Sequence, residues 1–166
     1  DTSWGIGEVG DIEILARWLR AAGQRILQLL PINEMPLGES SPYSALSAMA
    51  IDPQFLSIAD VEDFAAIGGE AALEPALRAR LEDVRRAPRI RYAEVRALKH
   101  AVLRRCFGRY LAVEWMRGTP RDLALRQFMA EQSWWLDEYA VFRAVHARYD
   151  ERAWTEWPAA LRSREP

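Results

Sequence analysis

The feature that most constrains the fold is a short apolar run directly after an amphipathic helix pattern. Residues 24–30, QRILQLL, leave almost no polar face, and Pro31 follows them. Such a run after a helix is typical of a strand that is buried on both sides, as in parallel sheets. Proline ends the run because it cannot donate a hydrogen bond to a ladder. The sequence therefore predicts an α/β fold.

A strand that is buried on both faces needs neighbouring strands, and the sequence offers few. The one further candidate is a short strand at PQFLSI, residues 53–58. A helix followed by a parallel strand also implies a strand before the helix, yet only ten residues precede Asp11. We expect these residues to be part of a longer α/β protein. The alternative is an all-helical module in which residues 24–30 are a buried helix segment.

The rest of the chain is predicted to be mostly helical. Asp11 is expected to cap the first helix and Gly23 to end it in a left-handed conformation. From about residue 57 onward nearly every segment is helical, and residues 92–115 carry a sustained apolar stripe at helical spacing. Thr119 and Pro120 are expected to start a further helix as N-cap and first residue.

Composition excludes several classes of function. The 166 residues carry a net charge of −2, which makes a general electrostatic grip on nucleic acid unexpected. No apolar run reaches the length of a membrane span and no signal peptide is visible, so we expect no membrane partner and a cytoplasmic location. Cys106 is the only cysteine, and a buried inert thiol is expected rather than a nucleophile. His100 and His146 have no neighbours at metal-ligand spacing, so no metal site is expected.

Aromatic residues cluster near the C-terminal end, and they allow two interpretations. Their helical spacing favours packing, whereas a platform for carbohydrate is the alternative. The cluster comprises Trp134, Trp135, Tyr139, Phe142, Trp154 and Trp157.

Several segments in order carry a family resemblance. They are SWGIGEVGD, LRAAGQRILQLLPI, SPYSALSAMAIDPQFL, and SWWLDEYAVFRAV together with WTEWPAALRSREP. With these segments the chain resembles the N-terminal part of the 4-α-glucanotransferases, also called amylomaltases or disproportionating enzymes, of the α-amylase clan. The resemblance implies a (β/α)8 TIM barrel with helical insertions and with glucan bound at the carboxyl ends of the strands. On that basis residues 1–57 are expected to be a partial catalytic barrel, and residues 58–166 a helical insertion subdomain that returns toward the barrel.

The resemblance also implies a chemistry. Family members transfer α-1,4-glucan segments between maltodextrins by a retaining mechanism with two carboxylates, without a metal or organic cofactor. The family's catalytic carboxylates lie beyond the end of this chain, so it is expected to contain no catalytic residue and to be inactive alone. The expected partners are a maltodextrin or other α-1,4-glucan and the remainder of the same barrel. The alternatives are a non-catalytic helical module that binds glucan or protein, and a glycoside hydrolase of the same clan.

Two residues match the family's SPY loop, which lines the sugar site. Ser41 and Tyr43 are therefore the candidate substrate-binding residues. An aromatic ring can pack on the apolar face of a sugar while its hydroxyl bonds polar groups. The alternatives are a core tyrosine pinned by Pro42 and a serine that only orders the turn. Glu34 and Glu39 lie in the same loop and are expected to be able to face sugar hydroxyls.

One position departs from the family's pattern. Some relatives place a tyrosine in this loop at an additional glucan-binding surface, whereas this sequence has Leu37 at the approximate place.

Overall fold

The computed structural model describes residues 3–39 and 41–163, and these residues are mostly helical. They divide into two compact units, one that ends at Thr119 and one that begins at Pro120. The α-helices are α1 (Val9–Ala21), α2 (Glu62–Ala66), α3 (Pro75–Arg86), α4 (Tyr92–Val113), α5 (Pro120–Arg148) and α6 (Ala159–Arg162). Short 3₁₀ turns cover Pro53–Phe55, Ile58–Asp60, Gly69–Ala72 and Trp154–Glu156.

Helix α1 begins with a reciprocal cap. Its N-cap is Glu8, and the Asp11 carboxylate accepts a hydrogen bond of 2.7 Å from the Glu8 backbone N–H. The prediction that Asp11 is the N-cap is therefore wrong in position, because Asp11 is the third helical residue and reaches back to the true cap. At the other end Gly23 has a φ of 80°, so its predicted left-handed conformation is confirmed.

The strand that was predicted over residues 24–30 does not form within this chain. The described residues form a single isolated antiparallel bridge, between Asn33 and Ile51, and no longer β-ladder. Ile26 is 86% exposed and Leu30 is 62% exposed, so the run is neither a buried strand nor a buried helix segment. Strand backbone needs a partner for its N–H and C=O groups, and the described residues place none beside this run.

The second predicted strand, at PQFLSI, is wrong as well. Residues Pro53–Phe55 form a 3₁₀ turn, which the Asp52 carboxylate caps by accepting a hydrogen bond from the Gln54 N–H. A side-chain acceptor two residues earlier offers the backbone a local alternative to a ladder.

Helix α4 organises the core of the first unit. Val95, Leu98 and Val102 are buried along one face, and Tyr110 is buried further along the helix, so the predicted apolar stripe is confirmed at these positions. Phe107 and Leu111, which belong to the same predicted stripe, are exposed within this chain. The buried cluster also includes Trp4, Ile6, Ile58, Phe64, Leu73, Leu81, Val84 and Cys106.

The second unit is built on the long helix α5. Pro120 is its first residue, as predicted, and the helix runs without interruption for 29 residues. Ring centroids lie 6.0 Å apart for Trp135 and Tyr139, and 5.7 Å apart for Phe142 and Trp157. These contacts favour the packing interpretation of the aromatic cluster, although Trp134 and Trp154 are exposed.

Two further expectations concern domains and membranes. The boundary that was predicted after residue 57 falls inside the first compact unit and stays a prediction. None of the helices that the described residues form combines the length and apolar character that a membrane crossing requires.

Candidate functional site

The loop that carries Ser41 and Tyr43 is closed at its base. We call residues 33–39 and 41–51 the bridged loop, because the isolated bridge joins Asn33 to Ile51. The Glu34 N–H donates to the Ala50 carbonyl at 2.9 Å, and the Leu46 N–H donates to the Glu34 carbonyl at 2.7 Å. These bonds fix where the chain leaves the loop relative to where it enters.

Below this bridge lies a buried carboxylate. Asp52 is 1% exposed, and its oxygens accept hydrogen bonds from the backbone N–H groups of Met35, at 3.2 Å, and Gln54, at 2.9 Å. The Gln54 side-chain amide adds a third bond at 3.1 Å. A buried carboxylate is costly unless it is paired and hydrogen-bonded, and Asp52 meets that need with donors from both ends of the loop.

Helix α4 supplies the matching cations. Arg96 donates to the Asp52 carboxylate at 2.7 Å and to the Met35 carbonyl at 2.8 Å. Lys99 lies three residues further on the same face and donates to the Glu8 carboxylate and to the carbonyls of Gln54 and Leu56, at 2.6 to 2.8 Å. Two cations of one helix thus hold the base of the bridged loop and the N-cap of α1.

On α4, the ionisable groups of Lys99 and Cys106 have shifted pKa values. Burial lowers the pKa of the Lys99 ammonium, and the hydrogen bond to Glu8 opposes that shift. Burial, and to a smaller extent the charge of Asp63, raises the pKa of the Cys106 thiol. A thiol with a raised pKa is a poor nucleophile, in line with the inert role expected for Cys106.

The two candidate sugar-binding residues lie on the exposed side of the bridged loop. Tyr43 is 74% exposed, so it is no core residue of this chain. Ser41 is exposed, and its carbonyl accepts a hydrogen bond of 3.3 Å from the Ser44 N–H, which closes a turn around Pro42. The structure therefore brings Ser41 and Tyr43 together on one turn. Their role in sugar binding stays a prediction.

The two glutamates of the loop differ in their exposure to solvent. Glu34 is 8% exposed and lies in the base of the loop, so its side chain is poorly placed to meet a ligand from solvent. Glu39 is exposed, and so is Leu37 at 60%.

An apolar groove of about 390 Å³ runs beside the bridged loop. Pro42 and Met35 contribute to its wall from the loop, Leu29 and Leu30 contribute from the predicted strand, and Ile32 contributes from the segment between them. The apolar run that lacks strand partners thus borders the candidate loop directly.

The two histidines of the chain have different surroundings. His146 is buried, and its Nδ1 lies 2.9 Å from a Glu151 carboxylate oxygen, whereas His100 is exposed. Within residues 3–39 and 41–163, no three His, Cys, Asp or Glu side chains are grouped so that they could hold a metal ion.

Sequence reasoning missed Asp52, Arg96, Lys99 and Glu8. A usable indication existed for the two cations, because Arg96 and Lys99 are interleaved with the apolar stripe of α4 rather than opposite to it. Their acidic partners lie 44 and 91 residues away in sequence, so no local pattern identifies them.

Comparison with known proteins identifies the family. The family model described as 4-alpha-glucanotransferase matches residues 1–166. A 4-alpha-glucanotransferase from Chlamydia caviae is 31% identical over 159 residues, which are 95% of this chain and 28% of the relative. The corresponding proteins from Synechocystis and Thermus thermophilus are 31% and 28% identical, with 98% of this chain and 30% of each relative covered.

This chain spans less than a third of the length of these curated relatives. The match nevertheless extends over its two compact units, and it includes the bridged loop with Ser41 and Tyr43. The chain belongs to the 4-alpha-glucanotransferase family.

Proposed function

We propose that this chain is the N-terminal portion of a 4-α-glucanotransferase that transfers α-1,4-glucan segments between maltodextrins by a retaining mechanism. In this proposal the apolar run at residues 24–30 is a strand of a (β/α)8 barrel, and the bridged loop follows its carboxyl end. The loop contributes one wall of the sugar site, with Ser41 and Tyr43 as binding residues. The catalytic carboxylates come from parts of the barrel outside these 166 residues, and the expected cytoplasmic location stays a prediction.

The observation that carries the proposal is the contrast between an exposed tyrosine and a tightly held loop base. Tyr43 is 74% exposed, while Asp52 and Met35 at the base of its loop are 1% and 3% exposed. An aromatic side chain that is presented by a fixed backbone gives up little conformational entropy when it binds a ligand. The adjoining apolar wall of Leu29, Leu30 and Ile32 supports a barrel strand there, because a surface of that kind calls for a covering partner.

The location of the catalytic carboxylates can be tested with the 166-residue chain alone. We expect the chain to release no glucose from maltotriose and to form no longer maltodextrins. The full product of its coding region, assayed in parallel, is expected to form both. Product formation by the isolated chain would contradict the placement of the carboxylates, and hydrolysis without longer products in the full protein would favour a hydrolase.

The role of Tyr43 can be tested in the full product of the coding region. Tyr43→Ala is expected to lower kcat/KM on maltotriose by about tenfold or more, because a stacking contact of about 0.5–1.5 kcal/mol and its buried area are lost. Tyr43→Phe keeps the ring and should lose less. Met49→Ala removes another exposed apolar side chain of the same loop and serves as the control. Equal losses in Tyr43→Ala and Met49→Ala would reject Tyr43 as a binding residue.

A further inference from the structure

One guanidinium group holds the bridged loop at both of its ends. Arg96 Nη1 donates to the Met35 carbonyl at 2.8 Å, and Met35 lies near the start of the loop. Arg96 Nη2 donates to the Asp52 carboxylate at 2.7 Å, and Asp52 is the first residue after the loop. The same carboxylate accepts the Met35 N–H at 3.2 Å, so the three residues form a closed ring of hydrogen bonds.

The ring lies inside the protein and not on its surface. The Arg96 side chain is 10% exposed and the Asp52 side chain 1%. Charge-assisted hydrogen bonds in a site of this kind are short and directional, because little water competes for the donors. The planar fork of arginine can meet two acceptors at a fixed angle, whereas a lysine ammonium acts as a single point charge.

The ring has a rigid support. Arg96 lies on α4 between Val95 and Leu98, which are 0% and 1% exposed and anchor this turn of the helix in the core. Lys99, on the next turn, holds the carbonyls of Gln54 and Leu56 directly after Asp52. The backbone on the exit side of the loop is thus tied to α4 at consecutive points, and the entry side is tied through Met35.

We propose that Arg96 and Asp52 are positioning residues. They fix the position of the bridged loop, and with it that of Tyr43, relative to the helical core. This inference rests on the proposed function for the part that concerns sugar, whereas its structural part stands independently. Neither residue needs to touch the glucan. Their effect on transfer arises because a displacement of about 1 Å in a binding group can cost about a hundredfold in rate.

The structural part is tested by amide hydrogen exchange on the full product of the coding region. Arg96→Met should accelerate exchange in peptides that cover residues 33–52 by about tenfold or more, with little change in peptides from α2 and α3. The matched control is Arg109→Met, because Arg109 lies on the same helix and pairs with Asp63 of α2 at 2.5 Å, away from the loop. Equal exchange of the loop in Arg96→Met and Arg109→Met would overturn the proposal.

Two conservative variants separate geometry from charge. Arg96→Lys keeps the positive charge but loses the fork, so loop exchange should stay clearly faster than in the wild type. Asp52→Asn keeps the size of the side chain, but both Asp52 oxygens accept N–H groups, so the new NH2 faces a donor in either orientation. It should therefore accelerate loop exchange as well. If Arg96→Met fails to fold, these two variants decide the question. Wild-type exchange in both would overturn the proposal.

The functional part is tested by a double-mutant cycle with Tyr43. Arg96→Met should lower kcat/KM on maltotriose by about tenfold or more when Tyr43 is present, and by less than about threefold in the Tyr43→Ala background. Equal losses in the two backgrounds would show that Arg96 does not act through Tyr43 and would overturn the proposal. If Tyr43→Ala alone has no effect, the proposed function fails at this loop, and the exchange result still decides the structural part.

Discussion

Helices α1 and α4 have similar sequence patterns and opposite surroundings. Both carry apolar residues at helical spacing, and both were predicted from that spacing. Helix α4 buries Val95, Leu98 and Val102, whereas α1 contains no buried residue, and its Ile14 and Trp18 are 69% and 65% exposed. An apolar face in a sequence therefore indicates that something covers it, but it does not identify the covering element.

The exposed apolar surface does not end with α1. It continues along the chain through Ile26, Leu29 and Leu30, and the apolar groove lies along the end of this run. Contiguous exposed apolar surface of this kind marks an interaction site in soluble proteins. The contrast with α4 supports the proposal that the remainder of a barrel covers this side of the chain.

The largest expected difference in stability is between breaking an ion pair of α4 and breaking an ion pair of α1. Lys99→Met removes the ammonium that pairs with Glu8, whose side chain is 9% exposed, and leaves a nearly buried carboxylate without its cation. We expect a loss of about 3–5 kcal/mol in the free energy of unfolding. Arg17→Met breaks the exposed pair with Glu13 on α1 and should change the free energy of unfolding by less than about 0.5 kcal/mol. Urea denaturation of the 166-residue chain measures both, and similar losses would remove the contrast.

A second comparison removes apolar side chains from the same helices. Leu98→Ala opens a cavity in the core beside α4 and should cost about 2–5 kcal/mol. Ile14→Ala, on α1, should change the stability of the 166-residue chain by less than about 0.5 kcal/mol. If the barrel proposal is right, Ile14→Ala costs more in the full product of the coding region. An equal and small effect in both proteins would argue against a covering partner on α1.

Replacing a glycine by alanine should lower stability in α1 and raise it in α4. A Cβ on Gly10 of α1 would lie 2.7 Å from the Ser57 hydroxyl oxygen, which accepts the Gly10 N–H. We expect Gly10→Ala to destabilise the chain by about 1 kcal/mol. Gly108 of α4 is exposed and has nothing within 4 Å of such a Cβ, so Gly108→Ala should stabilise it by about 0.5–1 kcal/mol. Thermal unfolding of the two variants measures both changes, and a change in stability of the same sign in both variants would contradict this prediction.

The smallest expected effect on stability concerns the ion pair between Glu70 and Arg85. The hydrogen bonds from Arg85 hold the pKa of Glu70 below its usual value of 4.5. Because the folded pKa lies below the unfolded one, the stabilisation is present above pH 4.5 and is lost as the pH falls through the folded pKa. Since the Glu70 side chain is 44% exposed, solvent screening limits the effect to about 0.2–1 kcal/mol. Glu70→Gln should reduce stability at pH 7 and not at pH 2, and a loss of equal size at both values would contradict the assignment.

Sequence reasoning succeeded where a local rule decides the structure. Gly23 ends α1 because only a left-handed residue fits there, and Pro120 starts α5 because its missing N–H is needed by no helical acceptor. The buried half of the α4 stripe follows from its spacing in the same way. These rules involve residues within one or two helical turns of each other.

The same reasoning failed where the partner is distant or lies outside the chain. Residues 24–30 have the composition of a strand, but a ladder requires neighbours that the described residues do not provide. Composition and net charge likewise gave no sign that Arg96 is buried, because its partner Asp52 lies 44 residues away in the sequence. For the candidate site, the sequence indicated Ser41 and Tyr43 but not the buried ring that holds their loop.

The contacts of Lys99 have a consequence for the order of events in folding. Its ammonium joins residues that are 91, 45 and 43 positions away, at Glu8, Gln54 and Leu56. Closing such long stretches of chain costs entropy before any contact is gained, so these bonds are expected to form late, after α4 has packed. On the ribosome Glu8 must wait until Lys99 has been synthesised. We therefore expect Lys99→Met to accelerate unfolding far more than it slows refolding, which stopped-flow measurements in urea can resolve.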